Sequence, residues 1–195
     1  IVLKDREALA SLGDNFRPVP ERAPNYSVAE QLTVPLALWR EGVTLFHAPH
    51  YVLPPLVRCR SVVTIHDCIH LMFPQYLPNR AALAYARTSM AMAARRATRV
   101  LTVSESSKTD IMRFFGTDPS KVDVIYNAYD ERFGAEPLEE EVVRVRERYQ
   151  LNDEFVLYAG NVKPHKNLER LIDAFHIVRS RGLDHLKLVM IGDDI

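Results

Sequence analysis

FVLYAGNVKPHKNLERLIDAF, residues 155–175, holds three kinds of local pattern in one line. Phe155–Ala159 is an unbroken apolar run, the composition of a strand covered on both faces. Gly160 follows, and the absence of a side chain there lets a ligand approach the backbone. A short polar loop with Lys163 and Lys166 comes next. Leu168, Leu171, Ile172, Phe175 and Val178 then recur at helical spacing, with Gly182 as the stop. Strand, glycine, loop and helix in that order form the repeating unit of a parallel α/β sheet.

The same alternation extends through the rest of the chain. Short β-rich runs are predicted at residues 43–46, 61–65, 99–103, 122–125 and 186–191, with a further strand at residues 1–3. Several are continuously apolar, which predicts cover on both faces. Helices are predicted between most of them. Ser27 and Glu30 have the spacing of a capping box ahead of a helix over 28–41, interrupted or kinked by Pro35 and ended by Gly42. Residues 79–97 are rich in Ala, Leu, Met and Arg. Ser104 caps a helix through Phe115 that Gly116 closes, and residues 139–149 form a charged amphipathic helix. Residues 129–138, with Gly134 and Pro137 among charges, suit a linker. The expected domains are therefore 1–129 and 138–195, joined by 130–137. Both ends of the chain read as cuts through a larger protein, because each lies in or just after a strand.

Composition narrows the function classes. With 195 residues and 47% hydrophobic content the chain can bury a sizeable core. Lys plus Arg and Asp plus Glu are 25 each, so no net field favours nucleic acid or an anionic surface. The two cysteines, Cys59 and Cys68, form no CxxC pair, and there is neither a spanning apolar run nor a signal-peptide pattern. A cytoplasmic protein is expected, with peripheral contact at the inner face of a membrane as an addition.

In open α/β sheets ligands bind beyond the carboxyl ends of the strands. Those positions hold His47 and His50, then His66 and Asp67, then Ser104 and Glu105, and finally Gly160 to Asn167. In the last group the helix N-terminus and the ammonium groups of Lys163 and Lys166 favour a phosphate; the competing reading is a solvated loop.

Tyr158-Ala159-Gly160-Asn161-Val162-Lys163-Pro164-His165-Lys166-Asn167-Leu168-Glu169 resembles the donor-site signature of retaining glycosyltransferase family 4. Thr64-Ile65-His66-Asp67, Leu101-Thr102-Val103-Ser104-Glu105 and Val124-Ile125-Tyr126-Asn127 extend the resemblance in the family's order. It implies a GT-B fold of two Rossmann-like parallel-sheet domains, each partly present here, with a sugar nucleotide in the cleft. It also implies hexosyl transfer, mannosyl among the options, from a nucleotide-diphosphate sugar to a glycan or lipid-linked acceptor in polysaccharide or cell-envelope synthesis. Catalytic roles fall to His66 and Asp67. Donor binding falls to Gly160, Asn161, Lys163, Lys166, Asn167, Ser104 and Glu105, and the acceptor side to His47 and His50. Many relatives carry Arg at the position of Asn161, which cannot supply that charge, so part of the task passes to Lys163. A pair of glutamates eight positions apart, expected further along, lies beyond residue 195, so this chain is expected to hold half a site. No cofactor or metal is implied when lysines and a helix end balance the leaving diphosphate. Nor are a glycosidase's paired carboxylates expected.

Other readings stand beside this one. His66, Cys68 and His70, with Asp67, His47 and His50 nearby, have donor types that suit a transition metal. Arg80, Arg87 and Arg95 fall on one helix face beside a stripe of Leu83, Met90, Ala94 and Ala97, a surface for anionic lipid or simply a solvated face. A non-catalytic nucleotide-binding or interaction module is the alternative to an enzyme. A dehydrogenase is disfavoured because no G-x-G-x-x-G follows a strand.

Overall fold

A computed structural model describes residues 17–24, 27–151 and 154–192, so the strand expected at residues 1–3 lies outside the described residues. The chain divides into two compact units, one running to Asn127 and the other from Ala128.

The first unit opens with α1 (Glu30–Arg40). Ser27 Oγ accepts from the Glu30 N–H at 3.2 Å, and the helix continues through the buried Pro35. β1 (Leu45–Ala48), β2 (Arg60–Thr64), β3 (Arg99–Thr102) and β4 (Val122–Val124) then form one parallel sheet in sequence order. A short α2 (Ile69–Met72) and the long α3 (Arg80–Arg96) connect β2 to β3, and α4 (Glu105–Phe115) connects β3 to β4. Asn79 caps α3 by accepting from the Ala82 N–H, and Ser104 caps α4 by accepting from the Ser107 N–H. Gly116, at φ 62°, closes α4 in the left-handed conformation that glycine takes without a Cβ penalty.

Register explains the core. Ala48 pairs with Val63, Val63 with Val100 and Val100 with Val122, a row that crosses all four strands. Every member is buried, and Met90, Ala93, Ala94 and Ala97 at the end of α3 and Ile111 of α4 close over the same cluster. The other face of the sheet is different. His47, Arg99 and Asp123 are exposed there, while Val62, Thr64 and Leu101 are half-buried. The expectation of cover on both faces therefore fails for these strands. Strands laid down in sequence order need right-handed crossovers of the same sense, which puts successive connecting helices on one face.

The second unit holds α5 (Glu139–Tyr149), β5 (Phe155–Ala159), α6 (Leu168–Ser180) and β6 (Lys187–Ile191). β5 and β6 pair in parallel from Phe155↔Lys187 to Ala159↔Ile191. No residue of either strand is buried, so cover on both faces fails here too. In a two-stranded sheet each strand is an edge, and a single connecting helix leaves much of both faces uncovered. Leu151 and Leu168 are the buried apolar residues recorded in this unit.

Candidate functional site

In the first unit the candidate residues gather where β1, β2 and β3 end. Because β1 and β2 are parallel neighbours, the loops after them emerge side by side. His47 Nε2 lies 2.9 Å from Thr64 Oγ1, and His66 Nε2 lies 3.0 Å from the Pro49 carbonyl oxygen. A carbonyl only accepts, so His66 Nε2–H is the donor in that bond, and the tautomer with its one proton there has Nδ1 as an acceptor. The His50 ring is 6.5 Å from that of His66 and 4.0 Å from that of Tyr51, which in turn meets His70 edge-on at 6.4 Å. Burial first, then the neighbouring His66 and His70, hold the His50 imidazole below its ordinary value, with Asp67 opposing. Three histidines that the sequence already placed near one another thus form one cluster, and Tyr51 is the member that spacing did not reveal.

Asp67 is exposed, and its Oδ1 accepts from the Ile69 N–H at 3.0 Å, which shapes the turn into α2. Cys68 is 0% exposed, and its thiol is pushed up to about 12 by burial, then by Asp110 and Asp67. A thiol held in its protonated form inside the core is a poor metal ligand. Among the described residues no three His, Cys, Asp or Glu side chains gather as a metal-holding group. Ser104 sits at the carboxyl end of β3. Its hydroxyl accepts from the Ser107 N–H and lies 3.0 Å from Ser107 Oγ, so it is engaged in capping, and Glu105 is exposed in the first turn of α4.

The second candidate group is the loop after β5. Gly160 N–H donates to the Ile191 carbonyl at 2.9 Å, and Tyr158 Oη donates to the Asn161 carbonyl at 3.0 Å. Pro164–Lys166 is a 3-10 turn, closed by Lys166 N–H to the Lys163 carbonyl at 2.8 Å. Asn167 takes the left-handed conformation at φ 57°, makes no side-chain cap, and leads into α6 at Leu168. Lys163, Lys166 and Asn167 are exposed, and Asn161 is half-buried. The sequence led to a plain loop before the helix; the 3-10 turn follows from Pro164, whose fixed φ suits the first position of such a turn. Helical N–H groups of the first turn of α6 have no partner within the helix, so an anion there would meet both backbone donors and ammonium groups.

Gly192 belongs with this loop, although nothing in the linear pattern pointed to it. A Cβ placed on Gly192 would lie 1.7 Å from the Gly160 carbonyl oxygen. The signal lay in register alone, because Ala159 pairs with Ile191 and the next residues of the two strands are both glycine.

On α3, Arg80, Arg87 and Arg95 are exposed. Met90, Ala94 and Ala97 are buried and Leu83 half-buried, and Ala86, Ser89 and Ala93 extend that stripe. None of the candidate residues lines the apolar cavity of about 620 Å³ bounded by Leu32, Pro35, Trp39, Leu56 and Cys59. No helix among the described residues is long and apolar enough to cross a membrane.

O-antigen chain mannosyltransferase B of Escherichia coli is 28% identical over 153 residues, which are 76% of this chain and 38% of that protein. O-antigen chain mannosyltransferase RfbU of Salmonella typhimurium is 27% identical over 123 residues, 63% of this chain and 30% of that protein. The chain thus spans well under half the length of these relatives. Among solved structures, Anabaena HepE in complex with UDP and glucose superposes with a TM-score of 0.62 at 19% identity, over 89% of this chain and 46% of HepE. HepE with UDP-glucose gives 0.53 at 16% identity, over 84% and 52%. At these identities the likeness concerns the fold, and the α/β fold of GT-B type, with partial Rossmann-like parallel sheets, is met. A family model described as Glycosyltransferase Family 4 matches residues 4–133, most of the first unit, and the chain belongs to that family.

Proposed function

We propose that this chain is part of a retaining glycosyltransferase that moves a hexosyl unit from a nucleotide-diphosphate sugar to a glycan or lipid-linked acceptor in polysaccharide synthesis. The observation that carries the reading is the loop after β5, where Gly160, exposed Lys163 and Lys166 and the start of α6 converge at the carboxyl end of a parallel strand. Two relatives are named O-antigen chain mannosyltransferases and HepE was solved with UDP-glucose, which supports a sugar nucleotide as the donor in this reading.

Transfer from such a donor develops negative charge on the departing diphosphate. Cations and backbone donors aimed at that oxygen stabilise the transition state more than the ground state. Lys166, Lys163, Asn161, Gly160 and Asn167 take the diphosphate in this reading. His66 and Asp67 act on the donor sugar, Ser104 and Glu105 complete the donor side, and His47 and His50 face the acceptor. With its proton held on Nε2 by Pro49, His66 offers Nδ1 to a sugar hydroxyl. Arg80, Arg87 and Arg95 support a finer proposal, peripheral contact with an anionic membrane, because all three guanidinium groups stand in solvent on one helix. Sedimentation with phosphatidylglycerol vesicles, unchanged on replacing all three with Ala, would remove it.

The test of the main reading is calorimetric titration of the full chain with UDP and GDP and with their nucleosides. A charge-assisted hydrogen bond contributes about 1.5 to 3 kcal/mol, so Lys166→Ala is expected to weaken the diphosphate roughly tenfold or more and leave the nucleoside unchanged. Lys163→Ala should do less. Unchanged diphosphate binding in Lys166→Ala would return the loop to a solvated surface.

A further inference from the structure

Glycines in this chain serve two distinct purposes. At Gly42, Gly116 and Gly182 an added Cβ would meet nothing within 4 Å, so only the positive φ calls for glycine there. Gly192 differs. Its φ is 155°, and its Cβ would fall 1.7 Å from the Gly160 oxygen, 2.6 Å from the Gly160 carbonyl carbon and 3.3 Å from the Asn161 nitrogen. The Gly192 α-carbon therefore rests directly on the Gly160–Asn161 peptide. The next peptide, Asn161–Val162, is held by Tyr158, which shares the strand face of Gly160 and whose hydroxyl donates to the Asn161 carbonyl at 3.0 Å. A Cβ on Gly160 would meet that same hydroxyl at 3.0 Å. The preceding peptide, Ala159–Gly160, is held by the Gly160 N–H on the Ile191 carbonyl.

What this grip controls lies just downstream. Residues 163–167 are tied into one turn by Lys166 N–H to the Lys163 carbonyl and Asn167 N–H to the Pro164 carbonyl. A turn closed on itself moves as a unit, and its orientation relative to the sheet is set by the backbone that leads into it at Asn161 and Val162. We infer that Tyr158 and Gly192 are positioning residues for the nucleotide diphosphate: Gly192 fixes the Gly160–Asn161 peptide, Tyr158 fixes the Asn161–Val162 peptide, and together they aim Lys163 and Lys166. This rests on the diphosphate reading of the loop. Neither residue touches the ligand in this scheme. Their effect travels through the turn, so it falls on the charged part of the ligand and spares the nucleoside.

The experiment compares Tyr158→Phe, Gly192→Ala and Lys166→Ala in the full chain, each titrated with UDP, GDP, uridine and guanosine and each melted thermally. Loss of one neutral hydrogen bond predicts roughly two- to tenfold weaker diphosphate binding in Tyr158→Phe. Nucleoside binding should be unchanged, and the melting temperature should fall by only a few degrees. Gly192→Ala, which must displace a peptide, should lose at least tenfold where it folds. Tyr158→Phe keeps the ring and the fold, so the test does not depend on Gly192→Ala folding. If Lys166→Ala weakens the diphosphate and Tyr158→Phe leaves it untouched, the positioning role is overturned while the diphosphate reading stands. If Tyr158→Phe weakens diphosphate and nucleoside equally, the tyrosine is merely structural and the inference also falls. If Lys166→Ala itself changes nothing, the diphosphate reading fails, and the inference falls with it.

Discussion

Ile111 on α4 and Ile172 on α6 occupy similar places, each in the apolar stripe of a helix that follows a parallel strand. Ile111 is 0% exposed and Ile172 is 51% exposed. The helices are equally amphipathic in pattern; what differs is the sheet beneath. α4 lies on a sheet whose row Ala48–Val63–Val100–Val122 gives it a continuous apolar floor, shared with α3. α6 has only β5 and β6, in which Leu157 and Ile191 remain 54% and 53% exposed. Apolar periodicity thus states which side of a helix wants cover. Whether cover exists depends on the number of strands and helices that assemble around it.

The matched pair gives the largest predicted effect. Ile111→Ala removes a fully buried side chain and should cost about 2 to 5 kcal/mol of unfolding free energy. Ile172→Ala loses a half-exposed one and should cost under about 1 kcal/mol. Urea unfolding with a probe in each unit measures both. Equal losses would break the contrast and mean that Ile172 is covered in solution.

A smaller contrast lies at the helix starts. Ser104 Oγ accepts from the Ser107 N–H at 3.1 Å, whereas Asn167 stands before α6 at φ 57° with no side-chain cap. Ser104→Ala should cost about 1 kcal/mol. Asn167→Gly removes no cap bond and suits the left-handed backbone, so it should change stability by less than about 0.5 kcal/mol. A large loss in Asn167→Gly would assign the Asn side chain a structural bond that the fold does not display.

The smallest effect is one of pH and belongs to the first unit. The folded state holds His50 below the ordinary 6.5, chiefly through burial. Between the folded value and 6.5 the unfolded chain binds more protons, so stability rises with pH across that window. The contribution is fully present above 6.5 and is lost as pH falls through the folded value. His50→Gln should flatten the dependence of the first unit's unfolding on pH just below 6.5 and leave the second unit unaffected. An unchanged slope would show that His50 titrates alike in both states.

Much of the local structure was legible because it rests on local chemistry. Phe155–Ala159 and Glu139–Tyr149 fall on the expected bounds, since an apolar run ended by glycine and a charged amphipathic segment have few alternatives. The Ser104 cap and the left-handed Gly116 were equally readable, because a cap bonds three residues away and a left-handed stop needs only its own φ. The candidate residues also fall at strand ends, as the rule for α/β sheets requires.

The amino-acid sequence by itself determined the order of strands and helices, the polarity of each face and the placing of His47, His66, Ser104 and Gly160 just within or beyond strands. Only the tertiary structure decided what those residues meet. That His66 binds the Pro49 carbonyl, that His50 lies beside His66, and that Gly192 lies on the Gly160 peptide all depend on the register of strands distant in sequence. The same holds for the one-sided cover of the first sheet. Local propensity acts over a few residues, whereas register and layer order are fixed by long-range pairing whose partners no short window contains.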